Sequence, residues 1–509
     1  MTVINPNSIS GITSITLPSG GDNVLTIHTN DGTERFRIDS SGNVKVGSAV
    51  TISQDGDVFF TGVCTATTLA GSGANLTALP AANLTGALPA ISGANLTGIA
   101  ATDNVRTGIL DVAGIATFRN DVNIGAAVTI SESGIEATGV GITVANINGG
   151  AVGGRRNLVI NGAMNIAQRG TSSTTSGYYS LDRFPVYFGG TDEAVTHAQV
   201  DVSSGTTPYS LGFRKALKLT NGNQTSGAGT NDNVQIQQRF ESQDIANSGW
   251  NYTSSTSYIT LQFWVKSSVA QNFYVYFRTQ DGTQQIYTFE TGSLSADTWT
   301  KIIKTIPGNS NLQFDNNADN GMEMNISPFW GTAFTDSSVS LNSWNAYASA
   351  TRTPDNTSTW YTTNDATFEV TGVQLEVGSQ ATTFEHRSFG DELSLCQRYY
   401  YVVADARDSG STGQVFNAHA YSTVQVETTI HYPVMRASPS LVHPTITQGY
   451  GVMNAGSIVK FHNWTIYQAS PRVCLLFCNT NFSANSVTGN AYRTQFYDDN
   501  AYIHLEAEL

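Results

Sequence analysis

Three tryptophans lie in polar stretches with turn residues, where an aromatic ring could meet a ligand. Trp330 occurs in SPFWGT, Trp344 in LNSWNAY and Trp360 in TSTWYTT, and the last two stretches also contain Tyr347 and Tyr361. Such rings suit a sugar, because the C–H face of a saccharide stacks on a ring while nearby polar groups hydrogen-bond to its hydroxyls. These five aromatic residues are the predicted ligand-binding residues. The alternative, that their rings pin long loops onto a domain core, stays open on the sequence alone.

Two other tryptophans sit inside strand patterns. Trp264 lies in LQFWVKS and Trp299 in ADTWTKI, where alternating large side chains are typical of a strand that packs on a core. We therefore interpret both as packing residues and not as ligand-binding residues.

The sequence offers no familiar catalytic or metal-binding spacing. It contains neither Gly-x-Ser-x-Gly nor His-Glu-x-x-His, and the histidines after residue 400 include no His-x-His pair. Cys474 and Cys478 share one face of a predicted strand about 13 Å apart at ~3.3 Å per residue, too far for a disulfide, and no second pair completes a zinc site. We expect no metal, no cofactor and no catalytic activity.

Charge and composition narrow the class of protein. The 509 residues carry a formal net charge of −14 and no Lys- or Arg-rich run, so nucleic-acid binding is not expected. The opening residues MTVINPNSIS lack the features of a signal peptide, and no run of ~18 apolar residues occurs, so we expect neither secretion by that route nor membrane insertion. Only 13% of the residues are charged, which favours an all-β protein over one with long helices.

Aromatic content divides the chain in two. Residues 1–150 contain four Phe and no Trp or Tyr, whereas all other aromatic residues follow. The first part cannot build a globular core from sparse aliphatic residues, while the second has many large side chains to bury. We therefore predict a fibrous segment over residues 1–154 and globular domains over 155–390 and 391–509. A short helix after Asp391 is expected to join the two domains.

The first segment is an irregular repeat of short strands. Runs such as VLTIH, ERFRID and VKVG alternate with turn sequences, and turn glycines recur at Gly21, Gly32, Gly42 and Gly56. One unit buries about two aliphatic residues, too few to offset a chain entropy of ~1–2 kcal/mol per residue. The units must therefore stack, either as a solenoid of one chain or as an intertwined fibre of identical chains. The drifting period favours the fibre, and we predict a homotrimer.

Asn-Leu-Thr occurs three times in this segment, at Asn75, Asn83 and Asn95. Each copy matches an N-glycosylation acceptor, but a protein that does not enter the secretory pathway would receive no sugar there. We interpret the phrase as a fibre repeat whose leucines face a shared axis, and we expect it to be ordered only when three chains meet.

Several phrases resemble bacteriophage tail-fibre sequences. RFRIDSSGNVKVG (residues 35–47) and GIATFRNDVNIG (114–125) are similar to shaft segments of tail fibres from tailed phages, in particular marine and cyanobacterial ones. NLVINGAMNIAQRGTS (157–172) is similar to the start of a jelly-roll domain in such fibres, and FEVTGVQLEVGSQATTFEHRS (368–388) to its close. RYYYVV, HYPVMRASPSL and LEAEL resemble the module that follows this domain.

The resemblance implies a receptor-binding tail fibre. Its fold would be all-β: an elongated, intertwined trimeric shaft, then a jelly-roll β-sandwich resembling carbohydrate-binding modules, then a C-terminal β-sandwich-like module. The implied location is the virion, after assembly in the bacterial host cytoplasm, with other tail or baseplate proteins at the N-terminal end. The implied activity is multivalent, non-catalytic binding of a host-surface glycan such as lipopolysaccharide. A structural spacer or decoration protein of the virion is the first alternative, and a polysaccharide depolymerase with paired carboxylates is the second.

Jelly-roll modules of this kind often hold a structural Ca²⁺, and the resemblance implies where its ligands would lie. Asn165 stands where such modules carry an acidic residue, so the sequence departs from the pattern. Glu369 and Glu376 in the closing strand are the remaining carboxylate oxygens that could serve. We predict that no metal is bound.

Overall fold

The computed structural model describes residues 24–68 and 70, the backbone of five short strands between residues 122 and 151, and residues 156–409, 414–454, 457–479 and 487–509. Within these ranges the chain forms strands with only five short helices, so the predicted all-β class is confirmed. The chain divides into two compact units, Met1–Thr117 and Phe118–Leu509. None of the described helices is long and apolar enough to cross a membrane. The predicted domain boundaries stay predictions.

The described part of the first unit is one antiparallel sheet in which each strand pairs with the next. Its strands are β1 (Leu25–His28), β2 (Glu34–Ile38), β3 (Val44–Val46), β4 (Val50–Ile52) and β5 (Val58–Phe60). Three hairpin turns use glycines in the left-handed region, with φ of 77° at Gly32, 84° at Gly42 and 88° at Gly56. Gly21 and the Asn-Leu-Thr repeats lie outside the described residues.

Strand pairing gathers apolar side chains on one face of this sheet. Phe60 pairs with Val50, Val50 with Val46 and Val46 with Phe36, so the four lie in one row across the strands. The ten side chains of this apolar sheet face are Leu25, Ile27, Phe36, Ile38, Val44, Val46, Val50, Ile52, Val58 and Phe60. Alternation sends Thr51 and its neighbours to the opposite face. None of the ten is buried, and no second layer covers them among the described residues of this unit.

The second unit opens with short strands and continues as a β-sandwich. The short strands are β6 (Val122–Ile124), β7 (Val128–Ser131), β8 (Gly134–Ala137), β9 (Asn146–Ile147) and β10 (Gly150–Ala151). The sandwich elements are β11 (Ser172–Ser173), β12 (Val186–Gly189), β13 (Thr196–Asp201), α1 (Thr207–Ser210), β14 (Lys215–Thr220), β15 (Asn233–Glu241), α2 (Ser242–Ala246), β16 (Tyr258–Ser267), β17 (Asn272–Thr279), β18 (Gln285–Ser293), β19 (Thr300–Pro307), β20 (Asn320–Trp330), β21 (Trp344–Ala346), α3 (Thr359–Thr362) and β22 (Thr367–Val377).

Two six-stranded antiparallel sheets form the sandwich. The back sheet has the order β11-β13-β14-β22-β16-β19, and the front sheet has the order β12-β15-β20-β17-β18-β21. One hydrophobic core lies between them, with Leu261 and Phe263 of the back sheet packed in the same cluster as Val275 and Phe277 of the front sheet. Each such side chain contributes ~1.5–3 kcal/mol when it is buried. The shared core therefore fixes the sheets, and alternate residues of every strand point to the outer faces.

The phrase NLVING docks on β22 through a side-chain amide. Asn157 Oδ1 accepts a hydrogen bond from the Leu375 amide at 3.0 Å, and Asn157 Nδ2 donates to the Val373 carbonyl at 3.1 Å. At Gly162 the backbones come so close that a Cβ would lie 2.0 Å from the Val373 carbonyl oxygen. Only glycine fits at this contact.

A second β-rich module follows the sandwich and has its own hydrophobic core. Its elements are α4 (Phe389–Gln397), β23 (Tyr400–Asp405), α5 (Ala406–Ser409), β24 (Gln414–Ser422), β25 (Gln425–His431), β26 (Ser440–Val442), β27 (Tyr450–Asn454), β28 (Ser457–Phe461), β29 (Thr465–Ala469), β30 (Val473–Cys478), β31 (Ala491–Phe496) and β32 (Tyr502–Glu506). A seven-stranded sheet has the order β28-β27-β31-β24-β25-β30-β29, and a three-stranded sheet has the order β23-β32-β26. The predicted joining helix is α4; it begins two residues before Asp391, whose amide donates to the capping Ser388 side chain at 3.2 Å.

Ion pairs join the second module to the sandwich. Arg169 Nη2 lies 3.1 Å from Glu506 Oε1 and 3.0 Å from Glu508 Oε1, and Arg183 is hydrogen-bonded to the other oxygen of Glu508. The Arg169 guanidinium also stacks on Tyr400, with Cζ 3.6 Å from the ring centroid. Buried ion pairs cost desolvation energy but are satisfied in only one geometry. They therefore hold the second module against the sandwich in a defined orientation.

Candidate functional site

The outer face of the front sheet carries polar and aromatic side chains. In β17, Val275 and Phe277 point into the core, so Tyr274, Tyr276 and Arg278 point outwards. The same alternation places further residues of the neighbouring strands on this face: Tyr187, Gln235, Gln237, Arg239, Ile286, Thr288, Glu323, Asn325 and Ser327. Many of these side chains are buried, including Thr288, Asn325 and Ser327, so a ligand would contact the half-buried aromatic and charged groups of this face.

An aromatic cluster forms the centre of this face. It consists of buried Tyr276, Ile286 and Trp330 with half-buried Phe334 and Tyr347. Trp330 packs edge-on against Phe334, with ring centroids 4.9 Å apart, and its Nε1 donates to Ser327 Oγ at 3.0 Å. The rings are therefore fixed from below, while Phe334 and Tyr347 remain partly accessible.

Two guanidinium groups stack on the aromatic cluster. Arg352 Cζ lies 4.4 Å from the ring centroid of Trp330 and 4.7 Å from that of Phe334. Arg278 Cζ lies 3.9 Å from the ring centroid of Tyr347. Stacking on a ring holds a guanidinium flat and limits its rotamers, so both cations are pre-positioned at the surface.

A row of planar polar groups continues from the cluster along the sheet. Gln237 Nε2 donates to Asn325 Oδ1 at 3.0 Å, and Arg239 Nε donates to Gln237 Oε1 at 2.7 Å. Glu323 lies between two cations, 3.7 Å from Arg239 Nε and 3.9 Å from Arg278 Nη1. Asn325 Nδ2 is buried and has no hydrogen-bond partner among the described residues. It is a donor that a ligand or water would satisfy.

The hydroxyl of Tyr276 stays protonated in this environment. Burial raises the pKa of Tyr276 well above its usual value, although Arg352 and Arg278 act in the opposite direction. A neutral phenol can both donate and accept a hydrogen bond. Tyr276 therefore adds a neutral polar group beside the amides and charged groups of this face.

The structure brings together only two of the five predicted binding residues. Trp330 and Tyr347 belong to the aromatic cluster, although Trp330 itself is 2% exposed because Phe334 and Arg352 cover it. Trp344 lies at the edge of the front sheet on β21, half-buried against Tyr287, and its Nε1 donates to the Pro307 carbonyl at 2.7 Å. Its ring therefore packs towards the core and not onto the cluster.

The prediction that Trp360 and Tyr361 offer exposed rings needs correction. Both are 0% exposed and belong to the main core. Trp360 Nε1 donates to the Thr367 carbonyl at 3.1 Å, and Tyr361 stacks on Phe329 with ring centroids 4.4 Å apart. The physical reason is that α3 folds back onto the sandwich, so the rings pin the loop, as the alternative interpretation held.

Sequence reasoning missed Tyr276, Arg278, Arg352 and Asn325. A signal for the first two was present, because NFYVYFRT alternates core-type residues with Tyr274, Tyr276 and Arg278. Arg352 and Asn325 carry no comparable signal, since their positions depend on how distant segments pair.

Trp264 and Trp299 pack outside the main core. Both are half-buried and contact a small cluster around Phe213 and Ala216 on the outer face of the back sheet. The Lys266 ammonium lies 5.3 Å from the ring centroid of Trp299. The predicted packing role therefore applies to this satellite cluster and not to the space between the sheets.

The carboxylates considered for Ca²⁺ are engaged in other contacts. Glu369 Oε1 pairs with Lys266 Nζ at 3.0 Å, and Glu376 accepts hydrogen bonds from the Thr382 amide at 2.8 Å and hydroxyl at 2.6 Å. Among the residues that the structure describes, no group of three or more His, Cys, Asp or Glu is arranged to hold a metal ion.

No protein-family model and no curated protein matches the sequence. Among solved structures, the chain is similar to the enzymatically active domain of tailspike protein 4 of bacteriophage CBA120, at 10% identity and a TM-score of 0.23, over 43% of this chain and 21% of that one. It is also similar to the N-terminal cellulose-binding domain of β-1,4-glucanase C from Cellulomonas fimi, at 12% identity and a TM-score of 0.21, over 42% of this chain and 97% of that one. A third similarity is to the family 11 carbohydrate-binding module of the cellulosomal cellulase Lic26A-Cel5E of Clostridium thermocellum, at 11% identity and a TM-score of 0.19, over 43% and 98% of the two chains. At these identities and TM-scores, the similarity carries no function over to this chain.

Proposed function

We propose that this chain is a non-catalytic glycan-binding protein and that the outer face of the front sheet is its binding site. The observation that supports this proposal is the aromatic cluster, which lies on a rigid sheet among planar polar side chains. Half-buried Phe334 and Tyr347 supply ring surface for the apolar face of a sugar. The two stacked guanidiniums supply partners for its hydroxyl groups.

The biological setting that we propose is a tail fibre of a tailed bacteriophage. The fibre would be a homotrimer on the virion, held at its N-terminal end by other tail proteins, and its ligand would be a host-surface glycan such as lipopolysaccharide. The resemblance of residues 35–47 and 157–172 to tail-fibre sequences supports this setting. Three weak sites on one fibre would raise avidity by ~10²- to 10⁴-fold without any catalytic group.

The apolar sheet face supports the homotrimer. Among the described residues, none of its ten aliphatic and aromatic side chains is buried, and an apolar face of this kind is unusual for a stable surface. The same faces of two further copies are the occupants that we propose, because identical chains meet in register even where the repeat drifts. Burial of the ten side chains from three chains would supply the second layer that is absent among the described residues of this unit.

Binding of the purified chain to bacterial surface polysaccharides, measured by isothermal titration calorimetry, tests this function. We expect Tyr347→Ala to weaken binding about two- to tenfold, since an aromatic contact contributes ~0.5–1.5 kcal/mol beyond its buried area. The matched control is Tyr467→Ala, which removes an exposed tyrosine from β29 of the second module and should leave binding unchanged.

Three results would contradict the proposal, each in a different way. If Tyr467→Ala weakens binding and Tyr347→Ala does not, the site lies on the second module. If no bacterial polysaccharide binds, a structural role in the virion explains the chain better. New reducing ends after incubation with a polysaccharide would instead indicate a depolymerase.

A further inference from the structure

We propose that the outer face of the front sheet selects glycans that carry acidic groups, and that Arg352 and Arg278 are the residues that recognise them. This inference rests on the proposed glycan-binding function. It adds the chemical class of the ligand, a saccharide with carboxylate or phosphate substituents, and it assigns the selection to two side chains on either side of the aromatic cluster.

Arg352 is a cation without an anion. Among the described residues no carboxylate lies within ion-pair distance of its guanidinium, whose contacts are the rings of Trp330 and Phe334. Its Nε is buried without a hydrogen-bond partner, while the side chain as a whole is half-buried. The outer edge of the guanidinium therefore remains available to a ligand, and the flat fork matches the two oxygens of a carboxylate or phosphate.

Arg278 is only partly neutralised. Its Nη1 lies 3.9 Å from Glu323 Oε2, a long ion pair, and the same carboxylate is shared with Arg239 at 3.7 Å. Its Nη2 donates to the neutral Gln284 Oε1 at 2.8 Å, and its Nε is buried without a partner. The Glu323 carboxylate is thus shared between the guanidiniums of Arg278 and Arg239 beside the cluster.

Glu290 and Asp355 do not neutralise these cations. Glu290 lies towards the far end of β18, where it accepts a hydrogen bond from Asn272 Nδ2 at 3.0 Å. Asp355 accepts a hydrogen bond from Thr335 Oγ1 at 2.8 Å. Neither forms an ion pair with Arg278 or Arg352 among the described residues. The cluster is therefore locally cationic in a chain whose net charge is −14.

This local charge favours an anionic ligand over a neutral one. Each charge-assisted hydrogen bond is about twice as strong as a neutral one, and partial burial reduces its screening by salt. A neutral sugar would still stack on Phe334 and Tyr347 but would leave Arg352 without an anion. Affinity for acidic and neutral forms of the same polymer should differ for that reason.

Binding of the full chain to two pairs of polymers, measured by affinity electrophoresis and calorimetry, tests the inference. The first pair is polygalacturonate and its carboxyl-reduced neutral form. The second pair is a phosphomannan and its dephosphorylated mannan, which separates phosphate from carboxylate recognition. We expect at least one acidic polymer to bind about tenfold more tightly than its neutral partner. Higher salt should reduce this difference.

Variants connect the difference to the two arginines. Arg352→Gln should remove most of the preference for the acidic polymer and should weaken binding of the neutral polymer much less, since only a hydrogen bond to a hydroxyl group is lost there. Arg352→Lys keeps the charge without the planar fork and should retain part of the preference. Arg278→Gln provides a second test, and the melting temperature of each variant checks its fold.

Equal binding of acidic and neutral partners, or an undiminished preference in both Arg352→Gln and Arg278→Gln, would overturn this inference but leave glycan binding intact. Tyr347→Ala distinguishes the two proposals, because it should weaken binding to the neutral polymer more than Arg352→Gln does. If none of the four polymers binds while a bacterial surface polysaccharide does, only this inference fails, and if neither set binds, both proposals fail.

Discussion

Arg398 holds the buried carboxylate of Glu241 with two hydrogen bonds, 2.6 Å from Nε to Oε1 and 2.7 Å from Nη2 to Oε2. Tyr399 adds a third, from its hydroxyl to Oε1 at 2.6 Å. Burial alone would raise the pKa of Glu241, but these donors outweigh it and the pKa is below its usual value. Glu241 ends strand β15 of the front sheet and Arg398 follows helix α4, so this ion pair links the sandwich to the second module.

Breaking this ion pair should destabilise the protein strongly. Arg398→Gln leaves the charge of Glu241 buried without a cation, and such losses typically cost about 3–5 kcal/mol. We expect a lower melting temperature by differential scanning calorimetry and faster proteolysis near α4, because the second module would lose part of its attachment.

The control for this prediction is Arg472→Gln, which changes an exposed arginine of the second module. The double variant Glu241→Gln, Arg398→Gln should recover part of the stability, since no unpaired charge remains. A melting temperature for Arg398→Gln equal to that of Arg472→Gln would show that the ion pair contributes little.

Acid should destabilise the second module through His504. Its Nδ1 lies 2.5 Å from the Tyr400 hydroxyl and its Nε2 lies 3.2 Å from Asp405 Oδ2, so a neutral ring that donates from Nε2 satisfies both. Burial lowers the pKa of His504 from 6.5 to about 4, although Asp405 acts in the opposite direction. As the pH falls from 6.5 to 4, His504 therefore becomes protonated in the unfolded chain but stays neutral in the folded chain. Stability should decrease across that window, by on the order of 3 kcal/mol at most.

Thermal unfolding of the protein at a series of pH values checks this prediction. His504→Gln should be less stable at neutral pH but should show a smaller slope with pH, because the titrating group is gone. His431→Gln, which changes an exposed histidine, should keep the slope of the original protein. An unchanged slope in His504→Gln would assign the acid sensitivity to other groups.

Trp360→Ala should cost stability and not specific binding. The side chain is fully buried in the main core, and removal of a buried large side chain costs about 3–5 kcal/mol. Trp360→Phe keeps most of the volume and should cost less, while the hydrogen bond to Thr367 is lost. At a temperature where Trp360→Phe is folded, its affinity for any glycan should equal that of the original protein. A loss of affinity in folded Trp360→Phe would instead indicate that Trp360 takes part in binding.

The apolar sheet face predicts the effect of one charge on assembly. Val46→Glu places a carboxylate on this face, whereas Thr51→Glu places it on the opposite face of the same sheet. If three copies cover the apolar face, only Val46→Glu should shift the protein from trimer towards monomer in sedimentation equilibrium, because a buried unpaired charge is costly. A monomeric original protein, or equal effects of the two variants, would contradict the proposed trimer.

The regular strands could be predicted from the sequence. YITLQFWVKS predicts a strand by alternation, and the structure places β16 over Tyr258–Ser267. The turn glycines also follow from local chemistry, because Gly32, Gly42 and Gly56 each need a positive φ. Both features depend on a few neighbouring residues.

The candidate site was harder to predict because it depends on distant pairing. Tyr276 lies opposite Asn325 only through the register of β17 and β20. Trp360 packs in the main core, and its amide donates to the Gln271 side chain, 89 residues earlier in the chain. Polar flanking residues suggested an exposed ring, but tertiary packing decided its position. An aromatic residue in a polar loop therefore identifies an anchor as readily as a ligand site.

The ion pairs of Arg169 and Arg183 with Glu508 can form only late in the synthesis of the chain. Arg169 precedes Glu508 by 339 residues, and Arg183 precedes it by 325. At a translation rate of ~5–20 residues per second, roughly 6–25 s pass between the synthesis of the last sandwich strand and the synthesis of these carboxylates. A chain that stops before Glu506 leaves both guanidiniums without these carboxylates, so it is less stable than a chain that contains them.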